Sequence, residues 1–288
     1  MLCPNCAKQL PDDANYCIQC GQSLRRDPST PGSDHQRRIA VANALLKYSE
    51  TELVITPPTG PQFTPDPEAN AFLLANHFAF LVAVICDQGI KAERAWEIPH
   101  RLYSALGHLD PVRLVANPSA VEAVIKGPPA LPRYVENVPR CIVAAADRVL
   151  RHYGGNAGAI WGDTPTAAEL RQRLQGFLGI GQKKSAMAVE ILARDLQIPI
   201  RALEGSDIAF DVHVRRVFLR TGLADWDDPV HMVEVARAVH PERPGVIDYP
   251  AWAVGRQWCR PEAPNCGGCP LETVCAKLVD KAATVKGA

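Results

Sequence analysis

Net charge is missing from this chain of 288 residues: 31 Lys and Arg balance 31 Asp and Glu, giving a formal charge of zero at pH 7. That balance excludes a protein that coats polyanions indiscriminately, yet it permits a basic groove offset by acidic faces elsewhere. A membrane-length apolar run is also missing. The most apolar stretch, residues 71–86 (AFLLANHFAFLVAVIC), is interrupted by Asn76 and His77 and closed by Asp87 and Gln88. It falls short of the roughly 20 residues a span needs, so it predicts a buried core helix and no membrane partner. The amino-terminal MLCPNCAKQL lacks a basic segment followed by an apolar core, which argues against a secretory signal and for a reducing, cytoplasmic setting. Disulfides are then the poorer use of ten cysteines. No fixed-period repeat is visible, and strand signals are confined to TELVITP and IPIRALE. With 47% hydrophobic and 22% charged residues, the chain can bury a sizeable core in one to three domains.

What is present begins with cysteine. Cys3, Cys6, Cys17 and Cys20 form two C-x2-C knuckles ten residues apart. Each knuckle offers two thiolates from a tight turn, and two knuckles complete a tetrahedral S4 shell, the zinc-ribbon pattern; an iron site or a redox dithiol are the competing uses. A unit of residues 1–24 is too small to build a core, so zinc would supply most of its folding energy. A protein partner is one use for such a ribbon. The stretch 25–38, rich in Pro, Ser, Gly and Arg, predicts a flexible linker. Beyond it, apolar residues recur at helical spacing over RRIAVANALLKYSE and over 68–86, 92–106, 118–126, 137–153, 166–178, 184–196, 211–221 and 230–239. The body is expected to be all-α.

A second cysteine set, Cys259, Cys266, Cys269 and Cys275, has the spacing C-x6-C-x2-C-x5-C. Four thiolates crowded along one loop suit a compact iron-sulfur cube, with a single zinc as the alternative. Upstream, Thr164 or Thr166 can cap a helix, Glu169 three residues after Thr166 would complete a capping box, and Leu170, Leu174, Phe177 and Leu178 share a face of the helix that follows. Gly179-Ile180-Gly181 then predicts a tight hairpin whose backbone can approach a phosphate, with the next helix presenting its amides. An ordinary helix-to-helix turn would carry the same G-x-G.

The series of LGIGQK in such a hairpin, Asp211 opening DVHVRRVFLRTG, and VGRQWC leading into the cysteine loop resembles the helix-hairpin-helix DNA glycosylases of the endonuclease III type. The resemblance covers roughly residues 70–278. It implies two helical domains, with the chain crossing twice between them and DNA bound at their junction: 39–70 with 211–288 as the cluster domain, and 71–210 as the domain containing the hairpin at 166–196. It assigns a [4Fe-4S] cluster to Cys259, Cys266, Cys269 and Cys275. The implied partner is double-stranded DNA with a damaged base or an abasic site, the implied state a monomer, and the location nucleoid-associated if bacterial.

The same resemblance assigns to Lys183 the amine that attacks C1′, displaces the base and leaves a Schiff base for β-elimination. Only a neutral amine attacks, and a lysine of ordinary pKa, about 10.4, is neutral about one time in a thousand near pH 7.4. Lowering it enough takes about 4 kcal/mol, for which a helix amino terminus, burial under DNA and the neighbouring Lys184 are candidate sources. On its own, QKK reads equally as a solvated phosphate-binding pair, and Lys184 becomes the nucleophile if the hairpin shifts by one residue. Asp211 aligns with the family's essential carboxylate, although Asp also commonly caps a helix. Gln88 matches the residue that fills the stack once a base is flipped out, or is simply polar ahead of the helix-ending Gly89. Gly179, Ile180, Gly181, Lys184, Arg215 and Arg216 complete the expected DNA contacts. The chain departs from the pattern at Leu178, where proline is usual, and in the longer stretch between Lys183 and Asp211.

Overall fold

A computed structural model of the chain describes residue 9 and residues 31–53, 61–127 and 136–282. Cys3, Cys6, Cys17 and Cys20, and with them the expected zinc site, lie outside the described residues. The helices are α1 (Pro31–Tyr48), α2 (Pro67–Ala75), α3 (His77–Cys86), α4 (Ala92–Leu106), α5 (Pro111–Ala116), α6 (Pro118–Lys126), α7 (Val138–Tyr153), α8 (Ala167–Gln175), α9 (Gln182–Arg194), α10 (Val212–Thr221), α11 (Pro229–Val239) and α12 (Asp248–Gln257).

An Asx-Pro dipeptide starts α2, α5, α6 and α11. Proline suits the first helical position because its fixed φ is already helical and its missing N–H would have no partner there. The preceding side chain takes one of the orphan amides: Asp66 Oδ1 accepts from Glu68 N–H at 2.9 Å, Asp110 Oδ1 from Val112 N–H at 2.8 Å, and Asp228 Oδ1 from His231 N–H at 2.8 Å.

The chain divides into two compact units. The described residues up to Leu53, with Phe210–Pro241 and those from Ile247 onward, form one. The described residues of Val54–Ala209, with Glu242–Val246, form the other. These bounds differ from the expected ones. The first crossing falls after Leu53, ahead of residue 70, and Glu242–Val246 belongs with the larger unit. There Arg243 pairs with the buried Glu190 at 2.9 Å and Gly245 N–H reaches Ser206 Oγ at 3.0 Å.

In the larger unit α3 is the core helix, with Phe78 through Cys86 all buried. Each large apolar side chain so buried contributes about 1.5–3 kcal/mol. The run expected as one helix over 68–86 is two, because Asn76 leaves the helical conformation (φ −131°, ψ 106°) and its Oδ1 accepts from Ala79 N–H at 3.0 Å. No single described helix is long and apolar enough to cross a membrane; α2 and α3 together would be, but they bend by 116° at that break. In the smaller unit α10 lies on α12, and α1 on α11 and α12. Gly255 makes the α10–α12 approach close, since a Cβ there would stand 2.7 Å from His213 Cβ.

Other expectations need correction. α1 begins at Pro31, inside the expected linker 25–38, with Asp34 in its first turn and Arg38 bound to Asp225 at 2.5 Å. Thr51–Leu53 of TELVITP lie in a π-helical turn, and the rest of that stretch lies outside the described residues. IPIRALE forms no strand; its backbone bonds include Arg201 N–H to Pro165 O at 3.0 Å and Ala167 N–H to Ala202 O at 2.8 Å. Helices α5 and α12 were not expected; the first is too short for periodicity, and the second carries Pro250 and Gly255.

Candidate functional site

The hairpin grows out of its sequence. Thr166 Oγ1 accepts from Glu169 N–H at 3.2 Å while Glu169 Oε2 accepts from Thr166 N–H at 2.7 Å, the reciprocal capping box that starts α8. The helix ends at Gln175, three residues before the expected bound at 178, and α9 starts at Gln182, two residues before 184. Between them Phe177 and Ile180 are buried and Leu178 is 46% exposed. Gly179 takes φ +86°, and a Cβ on it would stand 2.9 Å from Cys141 Sγ, so glycine is required there by backbone and neighbour alike. Gly181 is different. It is the N-cap of α9, a Cβ on it would meet nothing within 4 Å, and it offers no side-chain acceptor to the first amides. That leaves the N-terminal end of α9 suited to an external anion. Ile180 was expected among the DNA contacts, but its side chain is buried in the core and anchors the turn.

The two lysines of QKK part company. Lys184 is 7% exposed. Its Nζ donates to Ile85 O at 2.7 Å and Gly179 O at 2.9 Å, with Gln88 Oε1 at 3.4 Å. It therefore ties the end of α3 to the hairpin, and the expectation that it grips phosphate is corrected. Burial draws its proton affinity down, against the charge of Asp87. Lys183 is 39% exposed, with its Nζ 3.7 Å from Asp87 Oδ2. Gln88, exposed in the turn after α3, stands beside Lys184. Asp87 was not singled out in the sequence; only the fold brings it to the lysine. Behind the hairpin lie two thiols, Cys86 and Cys141. Burial pushes Cys86 up to about 12 and raises Cys141, which keeps both protonated.

In the smaller unit Asp211 is the N-cap of α10, its Oδ1 accepting from His213 N–H at 2.8 Å. Arg215 holds Asp227 through two bonds, 2.8 Å from Nε and 2.5 Å from Nη2, and lies over the Phe210 ring. Phosphate would have to compete with that carboxylate. Arg216, expected as a phosphate ligand, is 1% exposed. Its guanidinium donates to Cys259 O at 2.6 Å and Gly255 O at 2.8 Å, so it is a staple of the cysteine loop. Arg220, one turn on, donates to Arg260 O at 2.6 Å and Pro261 O at 2.8 Å. Periodicity marks Arg216 and Arg220 only as i, i+4 cations; the loop carbonyls they bind are unreadable from spacing.

Cys259, Cys266, Cys269 and Cys275 carry no disulfide and line one recess walled by Val217, Val254, Trp258 and Leu271. Among the described residues no three Cys, His, Asp or Glu close on a single ion. Four thiols around one recess are a donor set that a single zinc or an iron-sulfur cluster can take. Leu271 N–H points at Cys269 Sγ (3.5 Å), Lys277 N–H at Cys275 Sγ (3.3 Å), and Arg220 Nη1 lies 3.8 Å from Cys259 Sγ. Such donors stabilise ligated thiolates. Burial, then the neighbouring thiolates, push Cys269 up to about 11. Four such charges share this recess only with a cationic centre. The donor set fits an iron-sulfur cluster.

The helical body has the fold of the DNA glycosylases: a solved structure of a thermostable thymine-DNA glycosylase matches with a TM-score of 0.60 at 15% identity, over 86% of this chain and 99% of that one. In sequence the chain is a homologue of endonuclease III from Bacillus subtilis (strain 168), 32% identical over 107 residues. That match takes in 36% of this chain and 44% of the relative, so it spans less than half the relative's length. The 8-oxoguanine DNA glycosylase of Pyrobaculum aerophilum, solved with 8-oxoguanosine, gives a TM-score of 0.47 at 19% identity, over 89% of this chain and 98% of that one. Residues 2–24 match the zinc-ribbon domain.

Proposed function

We propose that the chain is a base-excision-repair DNA glycosylase with AP-lyase activity, acting on damaged or mismatched bases and abasic sites in duplex DNA. The observation that carries the lyase reading is the division between the two lysines: the Lys184 amine is held by two carbonyl oxygens inside the protein, whereas Lys183 opens to solvent on the first turn of α9. Of the pair, only Lys183 can reach C1′ of a bound sugar. Gly179, Gly181 and the amides of α9 then take a phosphate, Gln88 fills the gap left by the flipped base, and Asp211 supplies the carboxylate that steadies positive charge on the sugar.

Cys259, Cys266, Cys269 and Cys275 hold a [4Fe-4S] cluster in this reading, and Cys3, Cys6, Cys17 and Cys20 hold zinc. The cluster, when bound, contributes cross-linking and charge to its loop. The chain's own part is done by Arg216 and Arg220, which fix the loop backbone from α10. The protein works as a monomer in the cytoplasm, and the ribbon serves a protein partner.

Borohydride added during incubation with an abasic duplex tests the lyase reading, because reduction of a Schiff base leaves a covalent protein–DNA adduct. Wild-type protein is expected to give the adduct and Lys183→Gln none, with duplex affinity falling no more than about tenfold, since one cation among several is lost. An adduct that survives Lys183→Gln but vanishes in Lys184→Gln would reverse the assignment of the two lysines. No wild-type adduct would leave a glycosylase without lyase activity.

A further inference from the structure

Asp87 follows α3 directly. Its backbone N–H closes the helix on Ala83 O at 3.0 Å. The carboxylate is 10% exposed and stands 3.7 Å from the Nζ of the more open Lys183. Lys184 feels the charge of the same carboxylate, its own ammonium committed to Ile85 O and Gly179 O. Both lysines and the carboxylate belong to the larger unit, so this grouping is built into one body. A negative charge beside a lysine favours the protonated form, which is the wrong influence on a resting nucleophile. The placement makes chemical sense for the step after attack.

Resting on the lyase reading above, we propose that Asp87 is the base of the elimination step. Once Nζ of Lys183 is joined to C1′ as an iminium, the C2′ hydrogens stand three bonds from that nitrogen, within the sweep of a carboxylate oxygen held 3.7 Å away. Asp87 Oδ2 takes one C2′ proton. The C2′–H electron pair becomes the C1′=C2′ bond as the iminium pair returns to nitrogen, giving an enamine. The nitrogen pair then reforms C1′=N, the C1′=C2′ pair moves to C2′=C3′, and the C3′–O3′ bond breaks with its electrons leaving on the phosphate. Asp87 passes its proton to water, and water hydrolyses the iminium to release Lys183.

Formation of the imine and its collapse can be timed separately on an abasic duplex, by borohydride trapping and by strand cleavage, using the full chain. Asp87→Asn is expected to keep or raise the rate of trapping, because losing the negative charge eases loss of the ammonium proton. It is expected to slow cleavage on the order of 10²-fold or more, so that trappable imine accumulates. Asp87→Glu should restore part of the cleavage. Duplex affinity equal to wild type certifies the fold of each variant, and Asp87→Ser provides a second neutral replacement. Equal loss of trapping and cleavage, or unchanged cleavage, overturns this inference while leaving Lys183 in place. Failure of the wild-type protein to give any adduct overturns the lyase reading and this inference together.

Discussion

Helices α9 and α10 begin on opposite electrostatic terms. The first starts at Gly181, which has no side chain to place over the leading amides, and two lysines occupy its first turn. The second starts at Asp211, whose carboxylate already accepts from His213 N–H at 2.8 Å. An uncapped helix start carries partial positive charge that an external anion can answer. A start capped by its own carboxylate has that charge answered internally and presents an anion. One end thus leaves its partial positive charge to an anion from outside, and the other answers it from within the chain, although local propensity would describe both as ordinary helix starts. The contrast continues in the basic side chains. Lys184 and Arg216, one near each start, are both buried and spent on main-chain carbonyls, which leaves Lys183 the more open amine of its pair.

The largest expected effect separates the two duties of Asp211. Asparagine caps a helix about as well as aspartate, so Asp211→Asn should change unfolding free energy by less than about 0.5 kcal/mol. Base release should nevertheless slow on the order of 10²-fold to 10⁴-fold; release at the wild-type rate would reduce Asp211 to a cap. Next comes Lys184→Met, which leaves Ile85 O and Gly179 O without their donor. Denaturant titration should show a loss of about 1–3 kcal/mol. The same variant carries a pH signature. Because burial holds the folded Lys184 below its ordinary value of 10.5, the unfolded chain binds that proton more tightly, and the residue's contribution to stability rises as pH climbs towards 10.5. Stability curves of wild type and variant should therefore diverge as pH approaches 10.5 from below, and parallel curves would contradict a buried ammonium. The smallest effect makes α9 start like α10. Gly181→Asp has room for its side chain and should hold or raise stability by a few tenths of a kcal/mol as a better cap. Duplex affinity should drop roughly tenfold for every sequence alike, as a carboxylate meets phosphate. A Gly181→Asp protein binding as wild type would remove the hairpin from the DNA interface.

Much of the site was legible because it is local. The capping box of Thr166 and Glu169 needs only a three-residue spacing, and the buried face of α8 only a period of 3.6. Cysteine spacing marked the recess for the same reason: Cys266 and Cys269 share one turn. Misreadings arose where a residue's partner is remote in sequence. Arg216 looked like a phosphate ligand because sequence shows its charge and conceals the carbonyls of Gly255 and Cys259 waiting 39 and 43 residues away. Lys184 was misjudged through a carbonyl 99 residues upstream.

The sequence by itself determined the all-α body, the glycine turn, the cap on α10 and the four-cysteine loop, since each depends on backbone preferences or spacings within a few residues. Only the tertiary structure decided which of two adjacent lysines is the more open, which arginines become staples, and that Asp87 stands beside Lys183. Those outcomes depend on which carbonyls and carboxylates long-range burial brings within hydrogen-bonding distance. A buried carbonyl must find a donor, and the nearest long cation is then drawn inward and lost to the surface.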